Sequence, residues 1–217
     1  MKLYIRSLVF ILYGMYTAGA LSAPLLNDCA LLARKALLRS DKTVDSTLFV
    51  PFDSVKKILI GLIESEKTKI QGAFFRVSDS DIVEALNNAR LRGVLVEIVT
   101  DKGCLNEKYE KVSAIKGKNA SIFVYDKSGS IMHNKFFIFH QNAVNNGARA
   151  IVWHGSANAS TVGFSRNHES VMVRDNPATA AAFSDYFKRL KQETTLLKVH
   201  PVRPIIHQMR LYTHLFR

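Results

Sequence analysis

Acidic side chains are in short supply: 18 Asp and Glu stand against 30 Lys and Arg in 217 residues, a formal net charge of +12. The imbalance implies a positive field that attracts polyanions, either nucleic acid or an anionic membrane surface. It does not choose between them, and a basic surface that serves solubility alone fits the same number. Cysteine is scarcer still, with Cys29 and Cys104 the two present. Their number and spacing do not suggest a zinc site. In an exported chain the two could pair, and a bridge closing so long a loop would stabilise by about 4 kcal/mol in the chain-entropy view. The sequence alone does not place them together. Internal repeats and low-complexity linkers are also lacking. With 47% hydrophobic and 22% charged residues, the chain is expected to fold, as one good-sized domain rather than two.

An uncharged apolar run opens the chain. "MKLYIRSLVFILYGMYTAGALSA" carries Lys2 and Arg6, then apolar residues from Leu8, then small residues. Ala18-Gly19-Ala20 fits the small-x-small cleavage pattern, as does Ala20-Leu21-Ser22. The run is short for a membrane span, and Gly14, Thr17 and Gly19 weaken it further. Residues 1–20 therefore read as a signal peptide of an exported protein, periplasmic or secreted, with an uncleaved membrane anchor as the alternative. Cleavage takes away Lys2 and Arg6 and no acid, leaving +10 on the mature chain. At the other end, 196–217 is a basic tail without acids, carrying His200, His207 and His214 at intervals of seven. Pro201 and Pro204 argue against one continuous helix there. Solvated extension and contact with phosphate or membrane both fit it.

Between these ends the hydrophobic pattern alternates. Strands are expected over 46–52, 69–75, 94–101 and 120–126, with helices over 54–67, 81–93 and 106–117. Ser78 or Ser80 is placed to cap the second helix, which ends at Gly93. Three more strands, 132–139, 148–156 and 168–175, follow with only loops between them, and a helix over 176–194 begins at Asn176-Pro177. The expected fold is an α/β domain over about 24–195, with a mixed, mostly parallel β-sheet flanked by helices on both faces.

"MHNKFFIF" (132–139) places His133 and Lys135 two apart in an apolar run. On an extended chain they share a face. Two polar groups on a buried strand leave costly unsatisfied atoms unless that face opens onto a cleft, and α/β folds place ligands in clefts at strand ends. In "HGSANAS" (154–160), Gly155 permits close backbone approach, and Ser156 and Asn158 can both donate to an anionic oxygen. In "NHES", Asn167 and Glu169 follow, and a carboxylate there is placed to orient an imidazole.

His133-Asn134-Lys135, then Gly155-Ser156-Ala157-Asn158, then Asn167-His168-Glu169 is the motif order of the phospholipase D superfamily. The chain resembles its short, single-motif branch, which includes bacterial periplasmic endonucleases and mitochondrial cardiolipin hydrolase or Zucchini-type proteins. The resemblance spans about 45–195. One position departs from it: the family's H-x-K-x4-D acid is His140 here. An odd offset on a continuous strand sets residue 140 on the face opposite His133 and Lys135, which points to a supporting role.

What the resemblance implies is a phosphodiesterase. One histidine attacks phosphorus to form a phosphohistidine, while a second protonates the leaving oxygen and then activates water. Lys135, Ser156 and Asn158 would hold the non-bridging oxygens; Glu169 completes the catalytic set, and Gly155, Asn167 and His140 support it. No metal or other cofactor is implied. The chain has a single H-x-K, so the second histidine is expected from a two-fold partner in a homodimer with a shared site. His154 or His168 of the same chain is the lesser alternative. Three functions stay open: a sequence-nonspecific endonuclease on DNA or RNA, a hydrolase of cardiolipin or another anionic phospholipid, and a catalytically weak nucleic-acid-binding homologue.

Overall fold

Eight strands join in one mixed sheet in a computed structural model that describes residues 44–144 and 147–197. The expected signal peptide, Cys29 and the tail from residue 198 lie outside the described residues. In chain order the elements are β1 (Asp45–Val50), α1 (Val55–Ser65), β2 (Lys69–Phe74), α2 (Ser80–Leu91), β3 (Leu95–Asp101), α3 (Lys102–Leu105), a 3-10 turn (Val112–Ala114) and β4 (Ala120–Tyr125). There follow β5 (Lys135–Asn142), β6 (Arg149–Gly155), α4 (Thr161–Ser165), β7 (Glu169–Arg174), α5 (Pro177–Gln192) and β8 (Thr194–Leu196).

The strand order is β1-β7-β6-β5-β2-β3-β4-β8. A mixed sheet was the expectation, but its balance differs from the mostly parallel one read from the pattern. β3 runs parallel to β2 and to β4, whereas the other five pairings are antiparallel. The reason lies in the connections. Helical crossovers join β2, β3 and β4, but β6 follows β5 too closely for a crossover and must reverse, and the longer β6–β7 link, which holds α4, also returns antiparallel.

Helices cover both faces. α1 buries Val55, Leu59, Leu62 and Ile63, a single helical stripe. α2 buries Ile82, Val83, Ala85, Leu86 and Ala89 beside it. Both pack on the sheet face that carries Phe137 and Phe139. On the opposite face Phe187 and Leu190 of α5 pack against Phe136 and Ile138. The run "KFFIF" thus alternates between two cores, and every residue of Lys135–Phe139 is buried. Gly72 makes room for it, since a Cβ there would sit 2.7 Å from the Phe137 ring. Past Phe139 the register with β6 shifts by a bulge before Asn142.

Four local expectations are corrected. The cap of α2 is Asp79, whose side chain accepts from the amides of Asp81 and Ile82, rather than Ser78 or Ser80; a buried carboxylate satisfies two helix-start donors at once. Over 106–117 no α-helix forms, and the helical part is the 3-10 turn Val112–Ala114. There the Lys111 amide donates to Val77 O, the Glu110 carboxylate accepts from the Ser113 amide, and Arg76 holds Glu107. These tertiary bonds take the groups a helix would need. A short helix, α4, lies where only a loop was expected. Finally, β5 begins at Lys135 and not at Met132, because the Met132 amide is held by the Asp101 carboxylate at 2.8 Å.

Candidate active site

The register brings the motif residues to one edge of the sheet. Lys135 opens β5 opposite Phe74 at the end of β2. Gly155 ends β6 opposite Val171, and Glu169 opens β7 opposite Val50 at the end of β1. Strand ends that stop together leave an open rim, where ligands are reached without unfolding a strand.

His133 stands in the turn just before β5 and is exposed. Its turn is held from several sides. Asp101 anchors Met132, the Asn134 side chain donates to the Tyr186 hydroxyl of α5 at 2.8 Å, and the Phe75 amide donates to Asn134 O at 3.0 Å. The imidazole lies against the Phe75 ring, centroids 4.9 Å apart. Fixed backbone around a free ring is what a positioned nucleophile requires.

Lys135 is 7% exposed. Its Nζ donates to His133 O at 2.6 Å and lies 5.6 Å from the Phe75 ring centroid. Burial pushes the ammonium's pKa below its ordinary value, an effect that Glu169 and Cys104 partly oppose. An ammonium has three donors, and one is engaged here, so an incoming anionic oxygen would find donors and relieve the burial cost.

The loop after β6 is shaped by contact with β7. A Cβ at Gly155 would sit 2.1 Å from the Ser170 carbonyl oxygen, so the two backbones approach as only glycine allows. Ser156 and Ser170 exchange bonds there, the Ser156 amide to Ser170 O and the Ser170 amide to Ser156 Oγ. The next turn is tied down by the Ser78 and Asp79 amides, both donating to Ala159 O. Asp79 also pairs with Lys56 and accepts from Thr161 Oγ1, joining α1, α2 and α4. The Asn158 Oδ1 atom is buried without a hydrogen-bond partner among the described residues. That atom is an acceptor and calls for a donor such as water, so only the amide's Nδ2 can serve an anionic oxygen.

Glu169 departs from its expected role as an orienter of an imidazole. Its two oxygens accept from Ser156 Oγ and from Asn167 Nδ2, so within the chain it organises the donors of the loop. Its charge still acts on Lys135. His154 lies against the Phe183 ring of α5, centroids 5.1 Å apart, and burial followed by the Arg174 charge lowers its pKa. It belongs to the opposite core. His168 is exposed beside Phe52, ring centroids 6.0 Å apart, in an open cleft of about 670 Å³ that also reaches Ser156 and Glu169.

His140 lies on the α5 face, on the other side of the sheet from Lys135. Its Nε2 bonds Gln71 Oε1 at 2.9 Å, Gln71 donates to Glu97 at 2.7 Å, and Lys191 of α5 also binds Glu97. The departure from the family pattern is therefore absorbed inside a buried polar chain, away from the rim. Cys104 is a buried free thiol, pushed up to about 11 by burial first and by Glu107 and Asp101.

Sequence reasoning missed Asp101, Phe75 and Phe52. Asp101 had a signal, an acid at a strand end followed by Gly103, whose amide it caps at 2.8 Å. Phe75 and Phe52 had none, because an aromatic at a strand end reads as core.

Comparison with known proteins agrees with this arrangement. Residues 59–191 match the family described as "Cardiolipin synthase, PLD-like domain". The chain belongs to this phospholipase D-like family, whose members are phosphodiester hydrolases. It is 30% identical over 156 residues to a Rickettsia prowazekii protein named phospholipase D, covering 71% of this chain and 70% of that one. It is 25% identical over 141 residues to the mitochondrial cardiolipin hydrolase of Xenopus tropicalis, covering 65% and 63%. Two solved structures share the fold. NucT from Helicobacter pylori superposes with a TM-score of 0.64 at 22% identity, over 72% of this chain and 100% of that one. Nuc from Salmonella typhimurium, a phospholipase D family member, gives 0.62 at 23% identity, over 72% and 99%.

Proposed function

We propose that this phosphodiesterase is an exported, sequence-nonspecific endonuclease that needs no metal and acts through a phosphohistidine on His133. The observation that carries the reading is the pairing of an exposed, backbone-anchored imidazole with a buried ammonium two residues away at an open sheet edge. His133 attacks phosphorus, Lys135 and the Asn158 Nδ2 donor bind the non-bridging oxygens, and Ser156 joins them by turning to the phosphate the hydrogen it gives Glu169. His154 packs against Phe183 of α5, so we take the His133 of a two-fold partner as the acid that protonates the leaving oxygen, with the exposed His168 of the same chain as the lesser alternative. The net charge of +12 favours a polyanionic substrate.

The lipid reading draws on relatives named phospholipase D and cardiolipin hydrolase. The reading as a weak binder loses its only support, because His140 sits in a satisfied network away from the rim.

One assay separates the three. Purified protein in EDTA is given single-stranded DNA, duplex DNA, RNA and cardiolipin vesicles. Nucleic acid should be cut, less at higher salt, and His133→Ala should lose activity by roughly 10⁴-fold or more. Turnover of vesicles alone defeats the nuclease reading, and binding without turnover defeats catalysis. Active protein that sediments as a monomer defeats the shared site.

A further inference from the structure

At the end of β1 and in the turn before α1 the chain presents two phenyl rings to solvent: Phe49 is 52% exposed and Phe52 is 79% exposed. Leaving so much aromatic surface in water forgoes the largest stabilisation those side chains could give. The turn that carries them is nonetheless rigid. The Phe49 amide donates to Asp53 Oδ2 at 2.8 Å, and the Asp53 amide returns a bond to Phe49 O at 2.7 Å. The rings are held out by design of the turn. With Ser156, His168 and Glu169 they line one open cleft, so whatever rests on Phe52 lies beside the loop that carries the motif's serine and glutamate.

We infer that Phe52, with His168 beside it and Phe49 behind, is a stacking platform for the base adjoining the scissile phosphate, and that the enzyme therefore takes unpaired strands in preference to duplex. The inference rests on the nuclease reading and narrows it. A flat base gains from a solvent-facing ring and keeps its polar edge free for Ser170, which also lines the cleft. A base in duplex already has both faces covered, so it cannot use the ring without leaving its helix. The positive net charge supplies the attraction for the strand that carries such a base.

The test compares a single-stranded oligonucleotide with an abasic strand of equal length and with the duplex, each scored as kcat/KM per linkage, for wild type, Phe52→Ala and Phe52→Trp. The wild type should favour the intact single strand over the abasic one by about 5- to 100-fold. Phe52→Ala should bring that ratio close to one, mainly through KM, and Phe52→Trp should keep it. A wild type that cuts no oligonucleotide defeats the nuclease reading itself. A wild type that cuts nucleic acid with the same ratio as Phe52→Ala overturns the platform alone. Two further results also overturn it: dissociation of a dimer by Phe52→Ala in sedimentation, which assigns the ring to a subunit contact, and a loss confined to turnover of cardiolipin vesicles.

Discussion

A histidine and a lysine meet near each end of β5 and are used differently. At the rim, the His133 ring lies against Phe75 and the Lys135 ammonium is bonded to a single carbonyl. At the far end, His140 reaches Gln71, Glu97 and Lys191 in a closed series of hydrogen bonds. Imidazole and ammonium groups become chemistry where strands end and leave an opening. They become structure where a helix covers them. The difference is one of surroundings, and neither composition nor motif spacing expresses it.

The sharpest way to break this contrast is Lys135→Met. Removing a donor aimed at the transition-state charge should lower kcat/KM by roughly 10²- to 10³-fold. Because the ammonium is buried at a cost, denaturant titration should find the variant as stable as wild type or more so. A variant that unfolds readily yet keeps its turnover would place Lys135 with His140 among structural groups. The mirror change, His140→Ala, should leave kcat as it was and lower stability by about 1–3 kcal/mol, since Gln71 loses its partner in a buried site. Loss of turnover in a folded His140→Ala protein would erase the distinction between the two ends.

A smaller effect sharpens the same point through pH. Burial is the chief cause that sets His140 and His154 below the ordinary histidine value of 6.5. Above 6.5 both are neutral in the folded and unfolded chain. As pH falls from about 6.5 through the lowered folded values, the unfolded chain binds protons that the folded one refuses, so stability is lost. Glu97 adds to this at lower pH. Burial alone would raise its pKa, but the Lys191 and Gln71 bonds hold it below its ordinary 4.5, so its contribution is present above that value and lost beneath it. Thermal melts from about pH 8 to about pH 5 should show this decline, and His140→Gln with His154→Phe should flatten its upper part. A decline unchanged by both substitutions would place its cause elsewhere.

The sequence made much of this legible, for reasons particular to each residue. The apolar run in Lys135–Phe139 and the helical spacing in Val55–Ser65 mark their elements, the first because both its faces are buried and the second because one stripe is. The three motifs are short and local, so their chemistry is readable before their geometry. What stayed hidden depends on long-range contact. The helix expected over 106–117 is undone by Arg76 and Val77, thirty residues upstream. The mostly parallel sheet is undone by links that reverse direction, the one from β5 to β6 being too short to cross. Glu169 looked like the partner of an imidazole until the approach of Gly155 to Ser170 brought Ser156 onto it.

The bulge between Phe139 and Asn142 has a mechanical consequence. Asn142 binds the Leu62 carbonyl on the α1 side, whereas His140, two positions before it, faces α5. One irregular step thus reverses the sidedness of everything that follows. The buried run that ends at Phe139 and carries the ammonium at its start therefore keeps its own alternation on the rim side of that joint.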